Sequence, residues 1–188
     1  MKKHNFNAGP AILPQSVMAE AALAVTDFNN SGLSILEISH RDKAFIAVMD
    51  EAQQLVVELL GLDDSYAVLF LSGGASSQFF MVPMNLLAHD QSAAYVDSGS
   101  WASKAIKEAK AFGNVNVLGS SKKDNYSYIP KDFTVDASEQ YLHLTSNNTI
   151  YGTQIHEWPE VPVPIVCDMS SDIFSRPIPT DKFDLIYA

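Results

Sequence analysis

Four short stretches of this 188-residue chain combine residue types suited to holding an anion and a flat ring. Gly73-Gly74-Ala75-Ser76 follows the apolar run 66–71. Small residues in a turn that opens a helix expose backbone N–H groups at the positive end of the helix dipole, which makes a cradle for phosphate. Asp97-Ser98-Gly99-Ser100-Trp101 follows a second apolar run and supplies an indole that can plate against an aromatic ligand. Ser146-Asn147-Asn148-Thr149 offers hydroxyl and amide donors, and Asp168 places a carboxylate after Ile165-Val166-Cys167. Each stretch alone has a plainer explanation: a tight packing turn for Gly73-Gly74, a core residue for Trp101 and a helix cap for Asp168.

Taken together they describe one kind of ligand. A phosphate cradle, an aromatic plate, a hydroxyl donor and an acid suit a phosphorylated heteroaromatic cofactor, and pyridoxal phosphate fits better than a nucleotide. The glycine turn matches neither the Walker pattern nor the dinucleotide fingerprint. A carboxylate beside a pyridine nitrogen keeps that nitrogen protonated, which strengthens the ring as an electron sink.

The elements that must position these residues can be read from periodicity. Helices are predicted over 15–28, 43–60, 77–88 with a kink at Pro83, and 101–111. Strands are predicted over 66–71, 92–96, 114–118, 141–145, 164–168 and 183–187, while 119–140 is polar and without a clear assignment. Short apolar strands alternating with helices imply an α/β fold with a mainly parallel, doubly wound sheet. In such sheets ligands bind beyond the carboxyl ends of the strands, where the four stretches fall. Gly9-Pro10 and Pro14 make residues 1–15 an irregular arm, which leaves 16–188 as the N-terminal part of a larger ligand-binding domain.

Bulk properties narrow the function classes. The formal charge of -10 argues against a general nucleic-acid or anionic-membrane binder. No apolar run approaches the roughly 18 residues that span a bilayer, and the start lacks a secretory pattern, so the cytoplasm is the expected location. Cys167 is the single cysteine, as expected of a reducing compartment. The five histidines, His4, His40, His89, His143 and His156, lack close metal-ligand spacing, so no metal site is expected. Only two arginines occur, Arg41 and Arg176, and a scarce planar fork suited to carboxylate and phosphate merits individual attention beside the ordinary surface ion pair.

Six segments, in order, resemble the phosphoserine aminotransferase family: Asn5-Phe6-Asn7-Ala8-Gly9-Pro10, Ser39-His40-Arg41, residues 73–79, Ser100-Trp101-Ala102, residues 147–152 and residues 168–177. The resemblance implies a homodimeric, fold-type I pyridoxal-phosphate enzyme. Its reaction moves an amino group between L-glutamate and 3-phosphohydroxypyruvate, a step of serine biosynthesis, with a vitamin B6 precursor as a possible further substrate. Carried over motif by motif, Gly74, Ala75 and Ser76 bind the cofactor phosphate, Trp101 stacks on the ring, Thr149 bonds its phenolic oxygen and Asp168 pairs with the pyridinium nitrogen. His40 and Arg41 correspond to a substrate-anion pair, and Arg176 to a structural residue. The family's cofactor-linking lysine is expected just beyond Ala188, with the small C-terminal domain also outside, so these 188 residues alone are expected to be inactive. Other readings are a different class V enzyme, of the alanine–glyoxylate aminotransferase or cysteine desulfurase type, and a non-catalytic module that binds a phosphorylated ligand. A desulfurase needs a mobile nucleophilic cysteine, whereas Cys167 within a strand is expected to be core.

Overall fold

The computed structural model describes residues 3–188, which form two compact units, one ending at Leu69 and the other spanning Phe70–Ala188. The first unit contains helices α1 (Gln15–Thr26) and α2 (Lys43–Leu60). Helix α1 ends two residues earlier than its apolar spacing suggests, because Asn29 and Asn30 take left-handed backbone angles and close a 3-10 turn over Phe28–Asn30. Helix α2 has defined stops at both ends. Asp42 accepts from the Ala44 N–H at 2.8 Å, and Gly61, at φ 63°, turns the chain so that Leu62 N–H reaches Val57 O. Only a residue without a Cβ adopts that left-handed turn at no cost.

The second unit is built on a five-stranded sheet in the order β2-β1-β3-β6-β7, with every neighbouring pair parallel. Its strands are β1 (Ser92–Asp97), β2 (Asn114–Ser120), β3 (Leu142–Thr145), β6 (Ile165–Asp168) and β7 (Leu185–Tyr187). The segments β4 (Asn147–Asn148) and β5 (Thr153–Gln154) pair separately as a small antiparallel hairpin. The parallel α/β architecture is the one the alternating pattern implies.

Helices α3 (Ala75–Leu86) and α4 (Ser100–Ala109) pack on one face, where Phe79, Val82, Ala105, Ile106 and Ala109 meet Tyr95, Tyr141, Val166 and Tyr187. Pro83 lies within α3 without ending it and is itself buried. The opposite face buries Ala94, Val96, Leu142, Leu144, Ile165 and Cys167 under irregular segments that contribute Val135, Ile155, Val163 and Phe183.

One predicted element is corrected. Residues 66–71 form no strand: among the described residues no neighbour offers a ladder, and Leu69, Phe70 and Leu71 are exposed. An apolar run has strand propensity, but a strand exists only where another backbone completes its hydrogen bonds. The segment without an assignment proves to be a continuation of β2 to Ser120, a 3-10 turn over Lys122–Asp124 and an irregular stretch.

Candidate functional site

Because the strands are parallel, β1, β3, β6 and β7 all end at one edge of the sheet, with Trp101, Thr149 and Asp168 at or shortly after those ends. Thr145, Asp168 and Tyr187 occupy one row across β3, β6 and β7. Asp168 is 4% exposed. Its Oδ1 accepts from the Ser170 N–H at 3.0 Å and the Ser170 hydroxyl at 2.6 Å. Burial raises its pKa above the ordinary carboxylate value, against the lowering by Ser170. Among the described residues no lysine or arginine forms an ion pair with it. A buried acid in this state gains most from a ligand that brings a positive charge or a shared proton. Beside it, the buried Thr145 Oγ1 has no hydrogen-bond partner among the described residues, a group left over for a ligand or water.

The candidate anion cradle lies at the start of α3. Gly73 and Gly74 have φ of 106° and 66°, and α3 opens without a side-chain cap. At Gly73 a Cβ would sit 2.3 Å from Ser77 Oγ, the hydroxyl that donates to Gly73 O at 2.8 Å. The glycines thus set a turn that leaves the first amides of a twelve-residue helix, at Ala75 and Ser76, without a side-chain acceptor. Ala75 and Trp101 both pack against the cluster formed by Tyr95, Tyr141 and Tyr187, which places the cradle and the indole on the same side of the sheet. Trp101 is half-buried, and the Lys104 ammonium lies 4.2 Å from its ring centroid. One face of the indole is therefore engaged in a cation–π contact, worth about 0.5–1 kcal/mol at such an exposed lysine.

Thr149 is exposed at the turn of the β4–β5 hairpin. Ser146 fixes the base of that hairpin to the acid, since its N–H and its hydroxyl both donate to Asp168 O, at 2.9 and 3.0 Å. Asn147 Nδ2 adds a bond to Ser171 Oγ at 2.9 Å. The structure thus groups Gly74, Ala75, Ser76, Trp101, Thr149 and Asp168 within the second unit. His40 and Arg41 belong to the first unit, in the exposed turn that leads into the Asp42 cap of α2, where Ser39 Oγ accepts from the Arg41 N–H at 3.2 Å. Among the described residues Arg41 has no carboxylate partner. Arg176 is engaged instead: its guanidinium donates to Ile155 O and lies 3.9 Å from Asp172, consistent with a structural residue.

Nothing in the sequence pointed to the partners that hold Asp97. Asp97 accepts from the hydroxyls of Ser103 at 2.6 Å, Ser120 at 2.7 Å and Tyr126 at 3.2 Å. The Gly99 position abuts Asn148, whose Oδ1 would lie 2.3 Å from any Cβ there. The small residues of 97–100 hinted at a close approach, but nothing in the polar stretch 119–140 marked Tyr126. Cys167 is fully buried, and burial with the neighbouring Asp168 and Asp172 carboxylates pushes its thiol pKa well up. It is a core residue and should resist a disulfide-exchange reagent in the native protein, reacting only on unfolding; prompt native labelling would contradict this placement.

The structure is a parallel α/β sheet with a buried acid at a strand end and an uncapped glycine-turn helix packed on the same face. The chain belongs to the aminotransferase class-V family, whose sequence pattern matches residues 3–188. It is 62% identical over 189 residues to the phosphoserine aminotransferase of Flavobacterium johnsoniae, covering 100% of this chain and 53% of that protein. A phosphoserine aminotransferase structure from Bacillus circulans subsp. alkalophilus superposes with a TM-score of 0.92 at 49% identity, over 97% of this chain and 51% of that one. The pyridoxal-phosphate-bound phosphoserine aminotransferase of Trichomonas vaginalis gives a TM-score of 0.90 at 34% identity, over 98% and 56%. The chain spans about half the length of the curated relatives it matches.

Proposed function

We propose that this chain is the N-terminal part of a pyridoxal-phosphate-dependent phosphoserine aminotransferase. The full-length protein would transfer an amino group between L-glutamate and 3-phosphohydroxypyruvate, forming O-phospho-L-serine and 2-oxoglutarate in serine biosynthesis; the phosphorylated vitamin B6 precursor is a second substrate to assay. Residues 16–188 are taken as part of the cofactor-binding large domain and 1–15 as an arm. The observation that carries this reading is the buried Asp168 at a strand end, without an ion-pair partner among the described residues, on the same side of the sheet as an uncapped glycine-turn helix. Identity to proteins of that name along the whole chain supports the choice within the family.

In this reading the amides of Gly74, Ala75 and Ser76 bind the cofactor phosphate, Trp101 orients the ring, Thr149 donates to its phenolic oxygen and Asp168 holds a proton on its nitrogen. When bound, pyridoxal phosphate supplies an electron sink for the substrate's α-carbon. Burial of Asp168 would strengthen its pairing with a protonated ring nitrogen, because charges attract more strongly away from bulk water. His40 and Arg41 bind the substrate's anionic groups. A homodimer in the cytoplasm is the expected setting; among the described residues no helix is long and apolar enough to cross a membrane.

The direct test is turnover of the full-length protein with glutamate and a panel of acceptors. Preference for 3-phosphohydroxypyruvate over glyoxylate is expected, and the reverse preference would remove the phosphoserine assignment while leaving the family. Arg41→Ala is expected to raise the KM for the phosphorylated acceptor by about 10- to 100-fold, the range for losing a charge-assisted bond. An unchanged KM for both substrates would show that Arg41 does not meet them.

A further inference from the structure

We propose that Tyr126 and Tyr151 form a clamp that fixes the Thr149 hairpin to the Trp101 turn, making Tyr126 a positioning residue for the cofactor ring. This rests on the reading that Trp101 and Thr149 contact that ring.

The clamp begins with an unusual backbone. Asn125 and Tyr126 are consecutive non-glycine residues in the left-handed region, at φ 53° and 54°. Asparagine tolerates that conformation, but a bulky aromatic residue adopts it only where its surroundings enforce it, and such outliers concentrate at functional sites. Here the outlier turns the Tyr126 side chain into the protein, where it is 5% exposed. Its hydroxyl lies 2.8 Å from Ser103 Oγ and 3.2 Å from Asp97 Oδ1, and Ser103 in turn donates to Asp97. One end of the clamp is thereby anchored to the last residue of β1 and the second turn of α4.

The Tyr126 ring packs on Tyr151, with centroids 4.8 Å apart and planes tilted by 53°. Tyr151 follows Thr149 by two residues, and its hydroxyl is 3.0 Å from Ser100 Oγ, on the residue immediately before Trp101. On the other side of Thr149, Asn148 accepts from the Ser98 hydroxyl at 3.4 Å, donates to Thr153 Oγ1 at 3.0 Å and fills the space a side chain at Gly99 would need. Both flanks of Thr149 are thus tied to residues that flank or nearly flank Trp101. The exposed Thr149 makes no side-chain hydrogen bond among the described residues, so the clamp orders a side chain that can meet a ligand.

A double-mutant cycle on the full-length protein tests the proposal, with the dissociation constant of pyridoxamine 5'-phosphate as readout, because this amine form reports the non-covalent contacts alone. Thr149→Ala is expected to weaken binding by about tenfold in the native background, the loss typical of one good hydrogen bond. With Tyr126→Ala the same change is expected to cost less than about threefold, since the hairpin is no longer held at the ring. Tyr151→Phe, which keeps the ring contact and removes only the Ser100 bond, provides the second background should Tyr126→Ala fail to fold, and there too the Thr149 effect should shrink. Equal weakening by Thr149→Ala in every background overturns the clamp and leaves the cofactor site standing. No weakening in the native background overturns the Thr149 contact, and the clamp with it.

Discussion

Replacing Asp168 by alanine in the full-length protein is expected to lower kcat by on the order of 10²–10³-fold, equivalent to about 3–4 kcal/mol of transition-state stabilisation. The expected loss is electrostatic. In the proposed role the buried carboxylate would hold a proton on the ring nitrogen, and without it the ring would withdraw electrons less strongly. Asp168→Asn keeps the shape and the Ser170 contacts but not the charge, and should lose nearly as much. The same carboxylate is costly to the cofactor-free fold. Its pKa is raised on folding from 3.8, so the folded state binds the proton more tightly than the unfolded chain. Stability is full below 3.8 and is lost as pH rises through the folded value. Asp168→Asn should therefore stabilise the cofactor-free protein at neutral pH, with the gain vanishing below pH 3.8. Near-normal turnover of either variant would remove the ring-nitrogen role.

Acid should destabilise the protein through His143 by as much as about 5 kcal/mol between pH 6.5 and pH 3, at about 1.36 kcal/mol per pH unit. His143 lies in β3, stacked on Tyr95 with centroids 4.8 Å apart, and its Nε2 is 2.8 Å from the Tyr187 hydroxyl. Burial pushes its pKa from 6.5 down to about 3. The folded state therefore keeps the ring neutral while the unfolded chain takes up a proton below pH 6.5, so stability is present above that pH and drains away towards pH 3. The tyrosines around it do not titrate in this range, since burial pushes all three above the ordinary phenol value, Tyr141 to about 12. His143→Gln should be less stable at neutral pH, yet its stability should change less between pH 6.5 and pH 3 when urea unfolding is followed across that range. Identical pH slopes would place the acid sensitivity elsewhere.

Most of the scaffold was legible in the sequence because its signals are local. Gly61 marks the end of α2, and the runs 92–96, 141–145, 164–168 and 183–187 are short, apolar and separated by breakers. A parallel sheet puts those ends on one edge, which is why Trp101, Thr149 and Asp168 could be grouped from sequence. The failures are of the non-local kind. Residues 66–71 have strand composition, but a strand needs a partner, and composition says nothing of whether one is at hand. Tyr126 was invisible because its role depends on a left-handed backbone at Asn125 and Tyr126 and on Asp97 and Tyr151, which lie 29 and 25 residues away in sequence. His143 resembled an ordinary strand histidine; its near-complete burial among tyrosines emerges only once β1, β3 and β7 are aligned.

The most direct test of the account is a crystal structure of the full-length protein with pyridoxal phosphate bound. The account predicts the phosphate on the amides at the start of α3, the ring against Trp101, and the ring nitrogen about 2.8 Å from an Asp168 carboxylate oxygen. A ring nitrogen directed at any other group, or a phosphate seated away from Gly74, Ala75 and Ser76, would contradict it.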